Sequence, residues 1–221
     1  ARGGSGQAGV MSGKFSAWID NWSLEGQNNW ENLSVTAGGK NFDFSLNLAA
    51  EGPIIFHGEN GFSKKTKEGH SSAYYSQPFF DVEGRIVIDN VTHLVKGQAW
   101  VDREWSSAIL GSNQEGWDWM SLHLNSGGKL MVFRTRNKGL DFYHSGTLIT
   151  ENNEPIHLKN DEIRMTPLYY HIGGKRNTSK VSKVPTKWQV EVVKKGINVT
   201  LSAINPDSYI DGIIPYWEGP I

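Results

Sequence analysis

Gly116-Trp117-Asp118-Trp119-Met120-Ser121-Leu122-His123-Leu124 sets Met120, Leu122 and Leu124 on one side of an extended chain and Trp117, Trp119, Ser121 and His123 on the other. A period of two is the signature of a half-buried strand. The alternation recurs in Phe42, Phe44, Leu46 and Leu48 and in Ile86 and Ile88, with further strands expected at Leu130–Thr135, Trp188–Val193 and Ile197–Ala203. Lys194-Lys195-Gly196 between the last two is a hairpin signal. Gly38-Gly39, Glu51-Gly52-Pro53, Ser126-Gly127-Gly128, Asn152-Asn153 and Gly173-Gly174 punctuate the chain at the spacing of antiparallel meanders. Arg176–Lys183 reads as an exposed loop and Leu110–Gly116 as a connection between strands. No amphipathic helix longer than a few turns competes, so the fold class is all-β, a sandwich or a barrel, because closure is how antiparallel sheets avoid exposed edges.

The bulk numbers narrow the function. With 38% apolar residues and 25 aromatic rings in 221 residues, the chain is globular in composition and large enough for one sizeable β domain or two smaller units. A formal net charge of -1, with basic runs no longer than that of Lys64, Lys65 and Lys67, argues against nucleic acid and anionic membranes as partners. The absence of cysteine excludes disulfides, thiolate metal sites and cysteine nucleophiles. His57, His70, His123 and His144 lack ligand spacing, so no metal is expected, and no apolar run approaches the ~20 residues of a membrane span. There is no Gly-x-Ser-x-Gly nucleophile elbow. The Gly-rich opening Arg2-Gly3-Gly4-Ser5-Gly6 looks like a cut or a loop, which leaves room for a signal removed before Ala1.

Chemistry concentrates between Trp100 and Trp119. In Trp100-Val101-Asp102-Arg103-Glu104-Trp105, strand geometry puts Asp102 and Glu104 on one face with Trp100, and Arg103 on the other with Val101 and Trp105. Neighbouring carboxylates in an apolar site raise each other's hold on a proton, which makes one a general acid. The competing reading is an ion-pair network in which Arg103 bridges Asp102 or Asp118 and fixes two strands. Tyr74-Tyr75 puts one ring on each strand face, one of them a candidate ligand contact and both, more simply, sheet-packing aromatics.

Gly97-Gln98-Ala99-Trp100-Val101-Asp102-Arg103-Glu104-Trp105-Ser106, then Gly116-Trp117-Asp118-Trp119 and Lys129-Leu130-Met131, resembles the AttH-like and carotenoid 1,2-hydratase (hydroxyneurosporene synthase) family, labelled predicted secreted hydrolases. Trp18-Ile19-Asp20-Asn21-Trp22, Gly61-Phe62-Ser63-Lys64-Lys65, Ser72-Ala73-Tyr74-Tyr75-Ser76, Ser145-Gly146-Thr147 and Tyr216-Trp217-Glu218-Gly219 follow in the family's order. The resemblance implies two tandem lipocalin-like (calycin-type) barrels, here residues 1–108 and 109–221, without the family's first and last strands. It further implies an apolar cavity for an isoprenoid or other lipidic molecule, cofactor-free chemistry, and a secreted or periplasmic location, although a cytoplasmic one is compatible with the sequence. One departure stands out: Met131-Val132-Phe133-Arg134-Thr135-Arg136 occupies the place of the Tyr-x-Asp pair of the hydratases.

Two functions follow. The first is an enzyme of acid–base type (hydratase, isomerase or cyclase), with Glu104 or Asp102 as proton donor and Asp118 or Arg103 as its partner. Trp105, Trp117 and Trp119 would stabilise a developing carbocation by ~0.5 to 2 kcal/mol apiece. The second is a non-catalytic carrier of a hydrophobic ligand, with Tyr74, Tyr75, Arg134 and Trp217 among its contacts. A secreted hydrolase ranks behind both.

Overall fold

The computed structural model describes residues 4–11, 13–26, 30–107, 110–139, 142–173, 182–210 and 215–221. The expected boundary at residue 108 and most of the Arg176–Lys183 loop lie outside them.

The first strands are β1 (Ala8–Met11), β2 (Phe15–Ile19), β3 (Trp22–Gly26), β4 (Asn32–Gly38) and β5 (Phe42–Ala50). They run as an antiparallel meander into β8 (Ser71–Ile88), whose later half pairs with β5 while its earlier half pairs with the short β6 (Ile55–Phe56) and β7 (Phe62–Lys64). Strand β9 (Val91–Trp105) runs back along the whole of β8. Pro78 would end an ordinary central strand because it lacks an N–H. It is accommodated in a bulge between Gln77 and Phe80, where the ladder skips and resumes.

A four-stranded sheet follows: β10 (Gln114–His123), β11 (Lys129–Asn137), β12 (Phe142–Ile149) and β13 (Pro155–Leu158) in sequence order. A three-stranded sheet of β14 (Ile163–Gly173), β15 (Ser182–Val192) and β16 (Ile197–Ser202) faces it, and β17 (Tyr209–Ile210) pairs with β18 (Tyr216–Trp217). The hairpin read at Lys194-Lys195-Gly196 is a single 3₁₀ turn closed by Gly196 in the left-handed region. The architecture is all-β, antiparallel and lipocalin-like. Among the described residues no pairing carries the nine-stranded sheet back to β1. No helix there is long and apolar enough to cross a membrane.

The core explains why β11 is a continuous buried run rather than an alternating one. Leu130 and Val132 join Met120, Leu122, Ile163, Met165 and Trp188 between the four- and three-stranded sheets. Met131 and Phe133 point the other way, against Tyr74 and Trp100 of the nine-stranded sheet. A strand with apolar contacts on both faces has no polar period. The layer between β8–β9 and β10–β12 is where the conspicuous side chains meet.

Candidate active site

Pairing of β8 with β9 sets Tyr74 opposite Glu104, Tyr75 opposite Arg103 and Ser76 opposite Asp102. Residues directly opposite share a face, so Ser72, Tyr74, Ser76, Trp100, Asp102 and Glu104 all project into the inter-sheet layer. The other face carries Arg103, Tyr75 and Trp105. The alternation expected from sequence therefore holds.

Asp102 is half-buried and three donors converge on its Oδ1: the Ser76 hydroxyl in a short contact, the Tyr74 hydroxyl at 2.9 Å and the Trp100 indole N–H at 3.0 Å. None of the three reaches Oδ2. Burial pushes the Asp102 carboxyl above its ordinary range and outweighs the three hydrogen bonds, which pull it down; the Glu104 charge adds to the rise. Burial first, then the adjoining Asp102, drive the Tyr74 phenol well above 10, so it stays a donor. The Trp119 indole N–H in turn donates to the Tyr74 oxygen at 3.1 Å.

Behind Ser76 stands His57, wholly buried. Its Nε2 lies 2.6 Å from Ser76 Oγ and its Nδ1 2.9 Å from Thr147 Oγ1, so the ring ties the nine-stranded sheet to β12. Burial pushes the imidazole down to about 3, with His157 a lesser cause, and it is neutral at ordinary pH. Gly58 makes this placement feasible: it takes a φ of +65°, and a Cβ there would stand 2.3 Å from the Phe62 carbonyl oxygen.

The remaining expected site residues divide. Glu104 accepts from Ser72 at 2.6 Å and pairs with Lys65 at 2.7 Å, its side chain 40% exposed. Asp118 is paired elsewhere. It points from β10 toward the core between the four- and three-stranded sheets, where Arg134 Nε donates to it at 2.7 Å and Arg136 makes a short second contact. Arg134 also donates to the Met165 carbonyl at 2.9 Å and lies over the rings of Phe142 and Trp188, at 4.5 and 4.7 Å. The scaffolding network weighed from sequence thus exists, built on Arg134 instead of Arg103. Arg103 sits over Phe15, Trp30 and Trp105 at 5.3 to 5.8 Å and, among the described residues, pairs with neither Asp102 nor Asp118.

Of the aromatic residues, Tyr74 and Trp119 join the Asp102 cluster and Trp117 lies one step along the Trp119 face, opposite Thr135. Tyr75 packs between Phe56 and Trp105, at 6.0 and 5.6 Å, on the far face of β8. Trp217 is on β18, its indole N–H bonded to the Pro206 carbonyl at 3.0 Å. A concave space of about 690 Å³ opens elsewhere on the nine-stranded sheet, lined by Leu33, Leu48 and Val82 with Lys14, Glu83 and Lys96, and Asp102, Glu104 and Asp118 are not in its wall. Sequence reasoning passed over His57, Ser76 and Thr147. The Ser72–Ser76 and Ser145–Thr147 strings marked the last two as part of a family pattern, but nothing local singled out their hydroxyls, and a lone histidine beside a glycine carries no signal.

Fold and site together define a lipocalin-like β protein with a half-buried, multiply hydrogen-bonded carboxyl at the junction of two sheets. The AttH-like family model matches residues 1–221, and the chain belongs to that family. A crystal structure of a candidate AttH protein from Nitrosomonas europaea superposes with a TM-score of 0.85 at 26% identity, covering 99% of this chain and 68% of that one. Kievitone hydratase from Nectria haematococca shares the fold with a TM-score of 0.69 at 19% identity over 89% of this chain, which spans 60% of that protein's length. No curated protein sequence matches the chain.

Proposed function

We propose that the protein is a cofactor-free acid–base enzyme of hydratase type acting on an unsaturated, hydrophobic substrate, with Asp102 as the acid. The observation that carries this reading is the carboxyl itself: half-buried, raised in proton affinity by burial, and anchored through Oδ1 so that Oδ2 is left to hold and deliver a proton. Asp102 Oδ2–H would protonate one carbon of a double bond. Water would add to the cationic carbon and return its surplus proton to the carboxylate, which restores the acid. The Trp100 indole N–H helps to hold the carboxyl. Tyr74 holds the carboxyl in place. Glu104 is paired with Lys65 and more exposed, which suits it less to the part of the acid. A fold neighbour that is a hydratase is in keeping with this chemistry.

A second reading, a carrier without chemistry, draws on the 690 Å³ space, whose wall mixes Leu33, Leu48 and Val82 with Glu25, Asp81 and Glu83 and does not include Asp102. One experiment separates the two. The protein is incubated with a panel of prenylated and isoprenoid alkenes in ¹⁸O-water and products are read by mass spectrometry. A product heavier by one labelled water is expected; binding without any labelled product across the panel overturns the enzymatic reading in favour of the carrier.

A further inference from the structure

The hydrogen bonds that end on Asp102 have a direction that their donors fix. An indole can only donate, so Trp119 Nε1–H points at the Tyr74 oxygen, and the phenol spends its one proton on Asp102 Oδ1. Ser76 likewise spends its one proton on that Oδ1, so its 2.6 Å contact with His57 must be filled by an N–H on Nε2. A neutral imidazole carries one such proton, which leaves Nδ1 as an acceptor and makes the Thr147 hydroxyl, at 2.9 Å, its donor. Two head-to-tail lines result: Thr147 to His57 to Ser76 to Asp102, and Trp119 to Tyr74 to Asp102. Both begin on the four-stranded sheet, at β12 and β10, and both end on one oxygen of the nine-stranded sheet.

We propose that Thr147 and Trp119 are positioning residues through which the four-stranded sheet sets the charge state of Asp102. Aligned donors polarise one another and favour the carboxylate over the acid. The His57 line does not conduct protons from solvent: Thr147 is 1% exposed and His57 fully buried, so it ends in the interior. It acts as a fixed row of dipoles. The strength of the acid therefore depends on the contact between the two sheets: losing the Thr147–His57 bond while Asp102 stays buried would raise its proton affinity. The charged and titratable groups around Asp102 are few. Tyr74 and His57 lie within the lines, Glu104 with its partner Lys65 lies along β9, and His123, with Lys129 beside it, meets the edge of Trp100 at 5.9 Å. Asp118 and Arg134 face the opposite side of β10 and β11. His157 stands opposite Thr147 on β13 and acts on His57; Thr147 itself is bonded to His57 and carries no charge, so Thr147→Val leaves every charged group in place.

This inference builds on the reading of Asp102 as the acid, but its test needs no substrate. The full chain is labelled with ¹³C at aspartate side-chain carboxyls and ¹⁵N at histidine rings, and Asp102→Asn assigns the resonance. In Thr147→Val and in Trp119→Phe the Asp102 midpoint is expected to move up, furthest in the double variant, while Thr147→Ser titrates as the parent. The His57 ring of the unaltered protein is expected to carry its proton on Nε2. An unchanged midpoint in both single variants, or a proton on Nδ1 of His57, overturns the proposal. The ¹⁵N result stands even if a variant fails to fold. Undiminished turnover by Asp102→Asn would instead strike the functional reading and leave the titration intact.

Discussion

Replacing Asp118 by alanine tests whether the acidic residue of Gly116-Trp117-Asp118-Trp119 is scaffold. Its carboxylate is held by Arg134 and Arg136, and the side chains of Asp118 and Arg134 are 11% and 7% exposed. Arg134 is clamped between Phe142 and Trp188 and tied to the Met165 carbonyl, so it cannot swing to water when its partner is lost. Removing one member of a buried pair leaves an uncompensated charge and costs about 3–5 kcal/mol. At roughly 2–4 °C per kcal/mol for a chain of this size, the melting temperature should fall by about 6–20 °C. Replacing both residues, Asp118→Leu with Arg134→Met, should recover most of that, because an apolar pair of similar volume escapes the desolvation cost. Differential scanning calorimetry on the two variants and the parent reads it out. A single variant that melts within about 2 °C of the parent would refute the reasoning. So would a double variant no more stable than the single.

Charge at Asp102 opposes folding, because its folded-state pKa is raised: the acid form's stability is fully present at low pH and is lost as pH rises through the raised value. Asp102→Asn should therefore melt higher than the parent at neutral pH, and the gain should shrink as pH falls toward the ordinary carboxyl value of 3.8. His57 has the opposite sense. Its depressed pKa means the unfolded chain takes up a proton first, so stability should decline as pH falls from 6.5 to about 3. His57→Gln, which can still donate to Ser76 and accept from Thr147, should flatten that decline in urea titrations run across the range; an unchanged slope would contradict it. Gly58→Ala should destabilise through its positive φ and the 2.3 Å approach to the Phe62 carbonyl, and should disturb the His57 ring resonances, which an exposed Gly139→Ala should leave alone.

How much of this was legible in the sequence depended on the range of the interactions. β10, β15 and β16 stood out because their faces differ in polarity and their turns carry glycine, both local properties. The long β8 was legible only in pieces, at Tyr74-Tyr75 and at Ile86 and Ile88: its earlier half puts Ser72, Tyr74 and Ser76 on a buried face and passes through Pro78, which works only because a bulge absorbs it. The faces of Asp102, Arg103 and Glu104 followed from strand period alone. Which carboxylate is tied down did not, since Asp118 finds Arg134 across the β10–β11 ladder while Arg103 turns to Phe15 and Trp30. His57 was out of reach, because its partners Ser76 and Thr147 lie 19 and 90 residues away.

The central claim is that Asp102 delivers the proton. The direct measurement is the rate of ¹⁸O-water incorporation by Asp102→Asn beside the parent and Glu104→Gln, with ligand binding followed by tryptophan fluorescence. We predict that Asp102→Asn binds ligand as the parent does but loses roughly 10²- to 10⁴-fold in rate, the usual contribution of a positioned acid, while Glu104→Gln retains most of it. Turnover by Asp102→Asn at the parental rate would contradict the account.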